Sequence, residues 1–367
     1  MIKVLVFGAG AIGRGYVPWL FDSNHLIDFV DANSKLISEL KNEKHYVSFM
    51  IKDGAYVKKV VEVGNIYHID EVNPQILDDY DFIITAVGPR QFMGLSELFK
   101  QSAIPIVCFE NDRNLVSLMR SSTSRANIYF GIPDVISSNS TSKELQEQYK
   151  NSLITEDGQT FVESGAVNLG GDITYVDETE IAKQWAAKLY IHNTPHCIAA
   201  YLGSLIGAEF LHEAMQNRLI DEIVTGVAAE MAEMTRKEYG LTNQFSMFYL
   251  NKEITRFKNV LLCDPIKRIA REPFRKLALS DRLIGAASKA IVNNVNIENT
   301  LTGIIAAFSY DDPSDPDKNI KILFNSLGKE DFLNIAIGLA KHEVVYQLLL
   351  KNWDSSLKLI EEVKHNV

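Results

Sequence analysis

The feature that most constrains this chain is a glycine-rich turn directly after a short apolar run near its start. Residues 2–7 (IKVLVF) predict a buried strand, and residues 11–21 carry apolar side chains at helical spacing. Between them Gly8, Gly10 and Gly13 form the pattern G-x-G-x-x-G. In this context the first glycine permits a tight turn, the second lets the backbone approach a diphosphate, and the third lets helix and strand pack closely. The pattern predicts a nucleotide site at the amino terminus of the helix.

Further apolar runs of strand length alternate with helical stretches through the first half of the chain. They lie at residues 26–31, 81–87 and 104–109. Buried strands that alternate with helices are typical of a parallel sheet with helices on both faces. We therefore predict an α/β fold with a doubly wound sheet of the Rossmann type.

Two segments depart from this alternation. Residues 45–70 alternate apolar and polar side chains around Asp53-Gly54, a dipeptide that favours a tight turn, so we expect an inserted antiparallel hairpin. Residues 137–145 are strongly polar and predict a surface loop that leads into a short capped helix.

The strand signals stop at about Asp177, and amphipathic helical patterns dominate from there onward. We expect a dinucleotide-binding Rossmann-type domain over residues 1–185 and a mainly α-helical substrate-binding and catalytic domain over residues 186–367. The chain has 367 residues, of which 46% are hydrophobic, so it carries enough apolar surface for two cores.

Charge and cysteine content disfavour several classes of protein. A net charge of −10 is unlike that of a nucleic-acid-binding protein, which presents a basic face to phosphates. No apolar run reaches the roughly 18 residues that a membrane span requires. Cys108, Cys197 and Cys263 are widely spaced and odd in number, which favours reduced, mostly buried thiols over disulfides or a metal site. We expect a cytoplasmic protein with no nucleic-acid partner, no membrane partner and no metal.

The ends of the predicted strands supply further residues for the nucleotide site. Asp31 ends the second strand, where its carboxylate can accept hydrogen bonds from ribose hydroxyls and would repel a 2′-phosphate, so we expect NAD rather than NADP. A turn without a ligand and a site for FAD or S-adenosylmethionine are the alternatives. Arg14 either faces the ligand or lies exposed on the helix. The residues expected to contact the cofactor are Gly8, Gly10, Ala11, Ile12, Gly13, Asp31, Ala86 and Val87.

A second group of polar residues, Lys188, Asn193 and His196, lies in the segment KLYIHNTPHCIAAYLG. On an uninterrupted helix, a turn of ~100° per residue places all three within an arc of about 140°. Pro195 would either kink such a helix or begin a new one behind a Thr194 cap. Oxidation of an alcohol needs a base for the hydroxyl proton and donors for the oxygen, which these side chains can supply. The alternative is an ordinary helix face with an exposed lysine, a capping asparagine and a hydrogen-bonded histidine.

The chain is similar to the polyol-specific long-chain dehydrogenases, and within them to members that act on mannitol 1-phosphate. Dispersed motifs in matching order carry this resemblance over nearly the whole length: FGAGAIGRG at 7–15, FVDAN at 29–33, TAVGP at 85–89, CFEN at 108–111, KLYIHNTPHCIAAYLG at 188–203 and EPFRKLALSDRLIGA at 272–286. The resemblance implies a metal-independent, NAD-dependent interconversion of a sugar-alcohol phosphate and a ketose phosphate. Mannitol 1-phosphate and fructose 6-phosphate are the expected pair.

The resemblance also implies roles for individual residues. Lys188 would be the general base in oxidation and the general acid in reduction. Asn193 together with Asn111 would donate amide hydrogen bonds to the reacting oxygen, and His196 would bind and orient a substrate hydroxyl.

A basic stretch from Lys267 to Arg282 holds six basic and two acidic residues in an acidic chain. A cationic patch suits a sugar phosphate, and Arg275, Lys276 and Arg282 are its candidate ligands. A solvated basic helix face is the alternative, and the resemblance favours the phosphate.

Three other functions stay open at this point. The same chemistry could act on an unphosphorylated polyol or a hexonate, such as mannitol, mannonate or altronate. A dinucleotide-sensing regulator without turnover, or a Rossmann methyltransferase, would not need the group around Lys188. The sequence does not decide between a monomer and a dimer.

Overall fold

The computed structural model describes residues 2–22, 24–166, 168–170, 172–317 and 319–365. The chain forms two compact units, which are Met1–Trp185 with Leu261–Cys263, and Ala186–Val260 with Asp264–Val367. We call them unit 1 and unit 2. Unit 1 combines strands and helices, whereas the described part of unit 2 consists of helices and loops, as the loss of strand signals after Asp177 predicts.

Unit 1 contains two sheets. Its described strands are β1 Ile2–Phe7, β2 His25–Asp31, β3 His45–Lys52, β4 Ala55–Glu62, β5 Ile66–His68, β6 Phe82–Thr85, β7 Ile106–Cys108, β8 Ile128–Pro133, β9 Ser137–Ser138, β10 Leu153–Glu156, β11 Thr160–Glu163 and β12 Ile173–Val176. The larger sheet has the order β12-β11-β8-β7-β6-β1-β2-β5. Neighbours run parallel from β8 to β5, and β11 is antiparallel to β8. The strand order reverses between β1 and β6, which confirms the predicted doubly wound sheet.

Helices cover the larger sheet, and its strands face two apolar cores. In β1, Val4 and Val6 belong to one core while Leu5 and Phe7 belong to the other, and all four are fully buried. Burial on both faces explains why this strand is continuously apolar rather than alternating. The helices of this part of the chain are α1 Ser34–Glu43, α2 Pro74–Leu77, α3 Pro89–Phe92, α4 Ser96–Lys100, α5 Arg113–Thr123, α6 Lys143–Gln148 and α7 Glu178–Ala186.

The smaller sheet has the order β4-β3-β10-β9. The predicted hairpin is confirmed, because β3 and β4 pair antiparallel through the whole of both strands. Asp53 (φ 50°) and Gly54 (φ 75°) form the turn, and positive φ at both positions matches the right-handed twist of the two strands.

The predicted surface loop at residues 137–145 is wrong at its start. Ser137 and Ser138 form β9, pair with β10 and are buried. The hydroxyl of Ser137 forms a hydrogen bond with that of Thr155, so the protein itself satisfies a polar group that composition alone assigns to solvent. The capped helix is confirmed, because the side chain of Ser142 caps α6.

Unit 2 is arranged around a buried helix, α8. The helices are α8 Asn193–Leu205, α9 Leu211–Ala214, α10 Arg218–Tyr239, α11 Asn243–Phe257, α12 Ile266–Ala270, α13 Pro273–Leu277, α14 Ile284–Val292, α15 Glu298–Ala307, α16 Ile320–Asp331, α17 Val344–Lys351 and α18 Trp353–His365. Residues Asn193 through Gly203 of α8 are all buried, and α8 packs against α10, α12 and α15. A helix enclosed on every side is mainly apolar, so its few polar side chains need partners inside the unit.

Capping side chains fix the ends of the longer helices of unit 2. Asn217 accepts hydrogen bonds from two backbone N–H groups at the start of α10, and Gly240 ends that helix at a φ of 68°. Thr242 caps the start of α11. Among the described helices, none combines the length and the apolar composition that crossing a membrane requires.

Candidate active site

The glycine turn connects β1 to a π-helical segment, Ala11–Tyr16. Gly8 has a φ of 96°, and a Cβ there would overlap the carbonyl oxygen of Ala86 at the end of β6. A Cβ at Gly13 would overlap the carbonyl oxygen of Gly8. A Cβ at Gly10, by contrast, would have no described atom within 4 Å. The turn therefore packs tightly on its inner side and is open at Gly10, as approach of a diphosphate requires.

Arg14 stabilises this turn from inside the unit. Its guanidinium donates hydrogen bonds to the carbonyl oxygens of Ala9 at 2.6 Å and Asn151 at 3.0 Å, and lies over the ring of Tyr46. Burial lowers the pKa of Arg14. Of the two alternatives for Arg14, the exposed helix arginine is therefore wrong. Gly13 to Tyr16 are all buried, so this segment has no exposed face at Arg14.

Asp31 connects the end of β2 to the glycine turn. Its carboxylate accepts hydrogen bonds from the backbone N–H groups of Ala9 and Asn33, both at 2.8 Å. Asn33 in turn caps α1. Two carboxylate oxygens have further lone pairs, so Asp31 can hold the turn and still accept from a ribose hydroxyl.

The segment after β6 is held by Glu110, which sequence reasoning did not identify. The N–H groups of Val87 and Gly88 donate to the two carboxylate oxygens of Glu110 at 3.0 and 2.9 Å. Burial raises the pKa of Glu110, and these hydrogen bonds oppose that shift. Asn111 follows Glu110 directly after β7, at the same edge of the sheet as Ala86 and Val87. Glu110, like Asn111, lies just after a buried strand, and this position in the sequence could have identified it as a candidate.

Lys188 lies in a second π-helical segment, Ala187–His192, which leads directly into α8. The N–H of Asn193 donates to the carbonyl oxygen of Lys188, a hydrogen bond between residues five apart. The arc calculated for a regular helix therefore does not apply. Lys188 is partly exposed, whereas Asn193 and His196 are buried in α8.

Pro195 is accommodated by the wide turn that precedes it. It lies in the first turn of α8, where a missing N–H is best tolerated. The alternative of a Thr194 cap is wrong, because α8 begins before Thr194 and its hydroxyl donates to the carbonyl oxygen of Arg282 at 2.7 Å. The π-helical segment, not a cap, resolves the conflict between proline and a continuous helix.

His196 forms a buried array with Asp264 and Arg268. His196 Nε2 lies 3.0 Å from Asp264 Oδ2, and Arg268 donates from Nε at 2.8 Å and Nη2 at 2.5 Å to Asp264 Oδ1. Burial lowers the pKa of His196 to about 4, although Asp264 opposes this shift. Burial alone would raise the pKa of Asp264, but the charge of Arg268 and the hydrogen bond from His196 outweigh it. His196 is therefore neutral and Asp264 is charged near neutral pH.

A parallel array lies one helical turn earlier, and sequence reasoning missed it. His192 Nδ1 pairs with a carboxylate oxygen of Glu253, whose other oxygen lies 2.6 Å from Arg256 Nη1. The rings of His192 and His196 are 4.9 Å apart, and the ring of Phe257 lies against both. The four-residue spacing from Lys188 to His192 to His196 was the local signal. The carboxylates were not predictable, because they lie 61 and 68 positions away in sequence.

The three basic residues proposed for a phosphate occupy different surroundings in unit 2. Arg275 pairs with Glu272 at 2.8 Å and Asp281 at 2.7 Å and keeps about a quarter of its side chain exposed. Lys276 is buried and donates to the carbonyl oxygens of Ile269 and Arg271. Burial lowers the pKa of Lys276 to about 7.

Arg282 is buried and pairs through Nε with Asp281 at 2.7 Å. Its Nη2 is buried without a hydrogen-bond partner among the described residues, and so is the hydroxyl of Tyr201. A buried donor without an acceptor costs about 1–3 kcal/mol, which marks this place as one where a ligand or a water molecule could be accommodated.

The described surroundings of the three cysteines do not indicate a chemical role for them. Cys108 and Cys197 are buried and Cys263 is partly buried, all three as free thiols, which agrees with the prediction. Burial raises the pKa of each thiol. Within the described residues, no group of three or more His, Cys, Asp or Glu side chains is arranged to hold a metal ion.

Two family models match the chain. One describes the mannitol dehydrogenase Rossmann domain and matches residues 2–106, and the other describes the mannitol dehydrogenase C-terminal domain and matches residues 181–325. A curated mannitol-1-phosphate 5-dehydrogenase of Oceanobacillus iheyensis is 32% identical over 82% of this chain and 84% of its own length. The mannitol-1-phosphate 5-dehydrogenase of an Exiguobacterium species is 27% identical over 96% of this chain and 97% of its own length.

Solved structures agree on the fold. The ternary complex of Pseudomonas fluorescens mannitol 2-dehydrogenase with NAD and D-mannitol has a TM-score of 0.75 at 12% identity, covering 100% of this chain and 95% of its own. A D-sorbitol dehydrogenase in substrate-free form has a TM-score of 0.66 at 14% identity, covering 99% and 92%. The two family models and the curated relative at 32% identity confirm the resemblance found in the sequence: the chain belongs to the mannitol dehydrogenase family.

Proposed function

We propose that this chain is an NAD-dependent oxidoreductase that interconverts mannitol 1-phosphate and fructose 6-phosphate. The family identifies a polyol dehydrogenase. The observation that supports the proposal within this chain is that the partly exposed Lys188 lies in a π-helical segment that leads directly into α8, where Asn193 and His196 follow within eight residues. We place the reaction in the cytoplasm, as we expect from the acidic composition of the chain.

We assign cofactor binding to unit 1. The open position at Gly10 and the adjacent N–H groups of Ala11 and Ile12 suit the diphosphate of NAD, because a helix amino terminus favours anions. The carboxylate of Asp31 suits the ribose hydroxyls and repels a 2′-phosphate. When NAD is bound, its nicotinamide ring supplies the hydride acceptor.

We assign the proton transfer to Lys188. In the oxidative direction its amine takes the proton of the reacting hydroxyl while the carbinol carbon loses a hydride, and the alcohol becomes a ketone. Asn193 and Asn111 donate amide hydrogen bonds to that oxygen. His196 orients a neighbouring hydroxyl of the substrate. In reduction Lys188 returns the proton.

The phosphorylated substrate is supported by unit 2 and by the names of the curated relatives. Arg275 is the exposed member of the basic group, and Arg282 has a buried Nη2 that a phosphate oxygen would satisfy. Lys276, charged at or below about neutral pH, adds positive potential near Arg282. These three residues therefore remain our proposed phosphate ligands.

One observation favours a second candidate, oxidation of a free polyol or hexonate. Lys276 and Arg282 are buried and Arg275 is paired with two carboxylates, so the positive charge of this segment is largely neutralised within the unit.

The deciding experiment is a comparison of kcat/KM for mannitol 1-phosphate, mannitol and mannonate with NAD. We expect the phosphate ester to be preferred at least tenfold. Arg275→Gln should reduce that preference, whereas Arg218→Gln, which removes an exposed arginine from the same unit, should leave it unchanged. Equal kcat/KM for mannitol 1-phosphate and mannitol would overturn the phosphate pocket and support the second candidate.

A further inference from the structure

Two buried carboxylates, those of Glu253 and Asp264, contact the rings of His192 and His196 beside the proposed substrate residues. A histidine ring can carry its proton on either nitrogen, and the partner of one nitrogen decides whether the other donates or accepts. A ring held by a carboxylate keeps its proton on the nitrogen that faces the carboxylate. The identity of the residue behind the ring therefore sets the chemistry in front of it.

Asp264 is well placed to fix His196 in this way. Its carboxylate is 2% exposed and lies 3.0 Å from His196 Nε2. Arg268 occupies the other carboxylate oxygen with two donors, which keeps the group charged and fixes its plane. The flat ring of Phe257 stacks on the imidazole with a centroid distance of 5.1 Å and an interplanar angle of 14°. The ring thus has little freedom to rotate and exchange its two nitrogens.

We propose that Asp264 is a positioning residue that holds His196 with its proton on Nε2, so that Nδ1 accepts a hydrogen bond from a hydroxyl of the substrate. This inference rests on the proposed function insofar as His196 contacts substrate. The proposal also specifies the contact with the substrate. Because Nδ1 accepts a hydrogen bond, His196 favours a substrate carbon that carries a hydroxyl over one that carries a carbonyl oxygen, which cannot donate.

The charged and titratable groups that face His196 are consistent with this state. His192 lies on the same stretch, Asp264 precedes α12, and Arg268 lies on α12. The positive charge of Arg268 and a neighbouring imidazole both oppose a second proton on the ring, and burial does so as well. The ring therefore functions as a neutral acceptor rather than as an acid.

Asp264→Asn tests the proposal with little change of shape. The amide oxygen can keep the contact with Arg268, while the amide N–H then faces His196 Nε2 and moves the ring proton to Nδ1. We expect kcat/KM for the polyol to fall on the order of 10²-fold, because Nδ1 would carry the proton and could no longer accept the hydrogen bond of the substrate hydroxyl. Binding of NADH, measured by fluorescence, should be unchanged.

The matched control is Glu253→Gln in the neighbouring array. It makes the same isosteric change behind His192 and should alter kcat/KM by less than threefold. If Glu253→Gln reduced kcat/KM as much as Asp264→Asn, the specific assignment to His196 would be overturned.

A readout independent of activity is the tautomer of His196. Nitrogen NMR of histidine-labelled protein, with the His196 signals identified by their loss in His196→Gln, should show an unprotonated Nδ1 in the wild type. In Asp264→Asn the proton should appear on Nδ1. A wild type with a protonated Nδ1 would overturn the proposal even if the enzyme is active. If the wild type failed to oxidise any polyol but showed this tautomer, the proposed function would fail while the role of Asp264 at His196 stood.

Discussion

The glycine turn of unit 1 and the start of α8 in unit 2 position the groups of their proposed sites in different ways. At the glycine turn the backbone forms the proposed cofactor site, through packing that excludes a Cβ at Gly8 and Gly13. At α8 side chains form the proposed substrate site, and His192 and His196 each contact a carboxylate from a distant part of the chain. A backbone site is encoded locally, whereas a side-chain site is encoded by the whole fold of its unit.

This difference explains what the sequence could and could not predict. The spacing of three glycines after an apolar strand required one local geometry, and the structure has it. The hairpin at Asp53-Gly54 was predictable for the same reason. Asp264 and Glu253 were not, because nothing near them in sequence distinguishes them from surface acids. The π-helical segments at Ala11–Tyr16 and Ala187–His192 were not predicted either, because periodicity rules assume a regular helix.

Of the predicted effects that test this comparison of the two sites, the largest is the loss of kcat expected for Lys188→Ala in unit 2. Loss of the proton acceptor should lower kcat by about 10²–10⁴-fold, because general base catalysis contributes on this order. NAD affinity should be unchanged, because the proposed cofactor residues lie in unit 1. Lys351→Ala, which removes an exposed lysine from the end of α17, is the control. Near-normal kcat in Lys188→Ala would show that another group takes the proton.

Next in size is a contrast within the glycine turn. Gly13→Ala should destabilise the protein by several kcal/mol, since its Cβ would overlap the carbonyl oxygen of Gly8. Gly10→Ala should leave the melting temperature unchanged and weaken NAD at least tenfold, because its Cβ projects into open space. Thermal unfolding with and without NAD distinguishes the two. Equal loss of stability in both variants would contradict the separate roles assigned to these positions.

Unit 2 should show a pH dependence that originates at His196. Its folded pKa of about 4 lies below the ordinary value of 6.5, so the folded state favours the neutral ring. The resulting stability is present above pH 6.5 and is lost as the pH falls toward 4, by up to about 3 kcal/mol. Urea unfolding of wild type and His196→Gln between pH 4.5 and 7.5 should show a smaller slope in the variant. Identical slopes would place the titrating group elsewhere.

The smallest expected effect is a change of cofactor preference in Asp31→Asn. Removing the charge should relax discrimination against NADP by about tenfold, because repulsion of the 2′-phosphate is lost. The asparagine oxygen can still accept one of the hydrogen bonds from Ala9 and Asn33, so the turn should persist. Initial rates with both cofactors provide the measurement. An unchanged preference would mean that another group reads the ribose.

The π-helical segment Ala187–His192 has a consequence for how this chain tolerates insertions and deletions. Such a segment accommodates one more residue than a regular helix needs to close the same turn. Removing one residue would leave a helix with sound hydrogen bonding and acceptable composition. It would remove the extra residue with little rotation of the flanking helices, but it would shift the side chains within the segment, which include Lys188, relative to Asn193. A length change that is silent for folding could thus abolish turnover, and alignments across this segment are best anchored on Asn193 and Pro195.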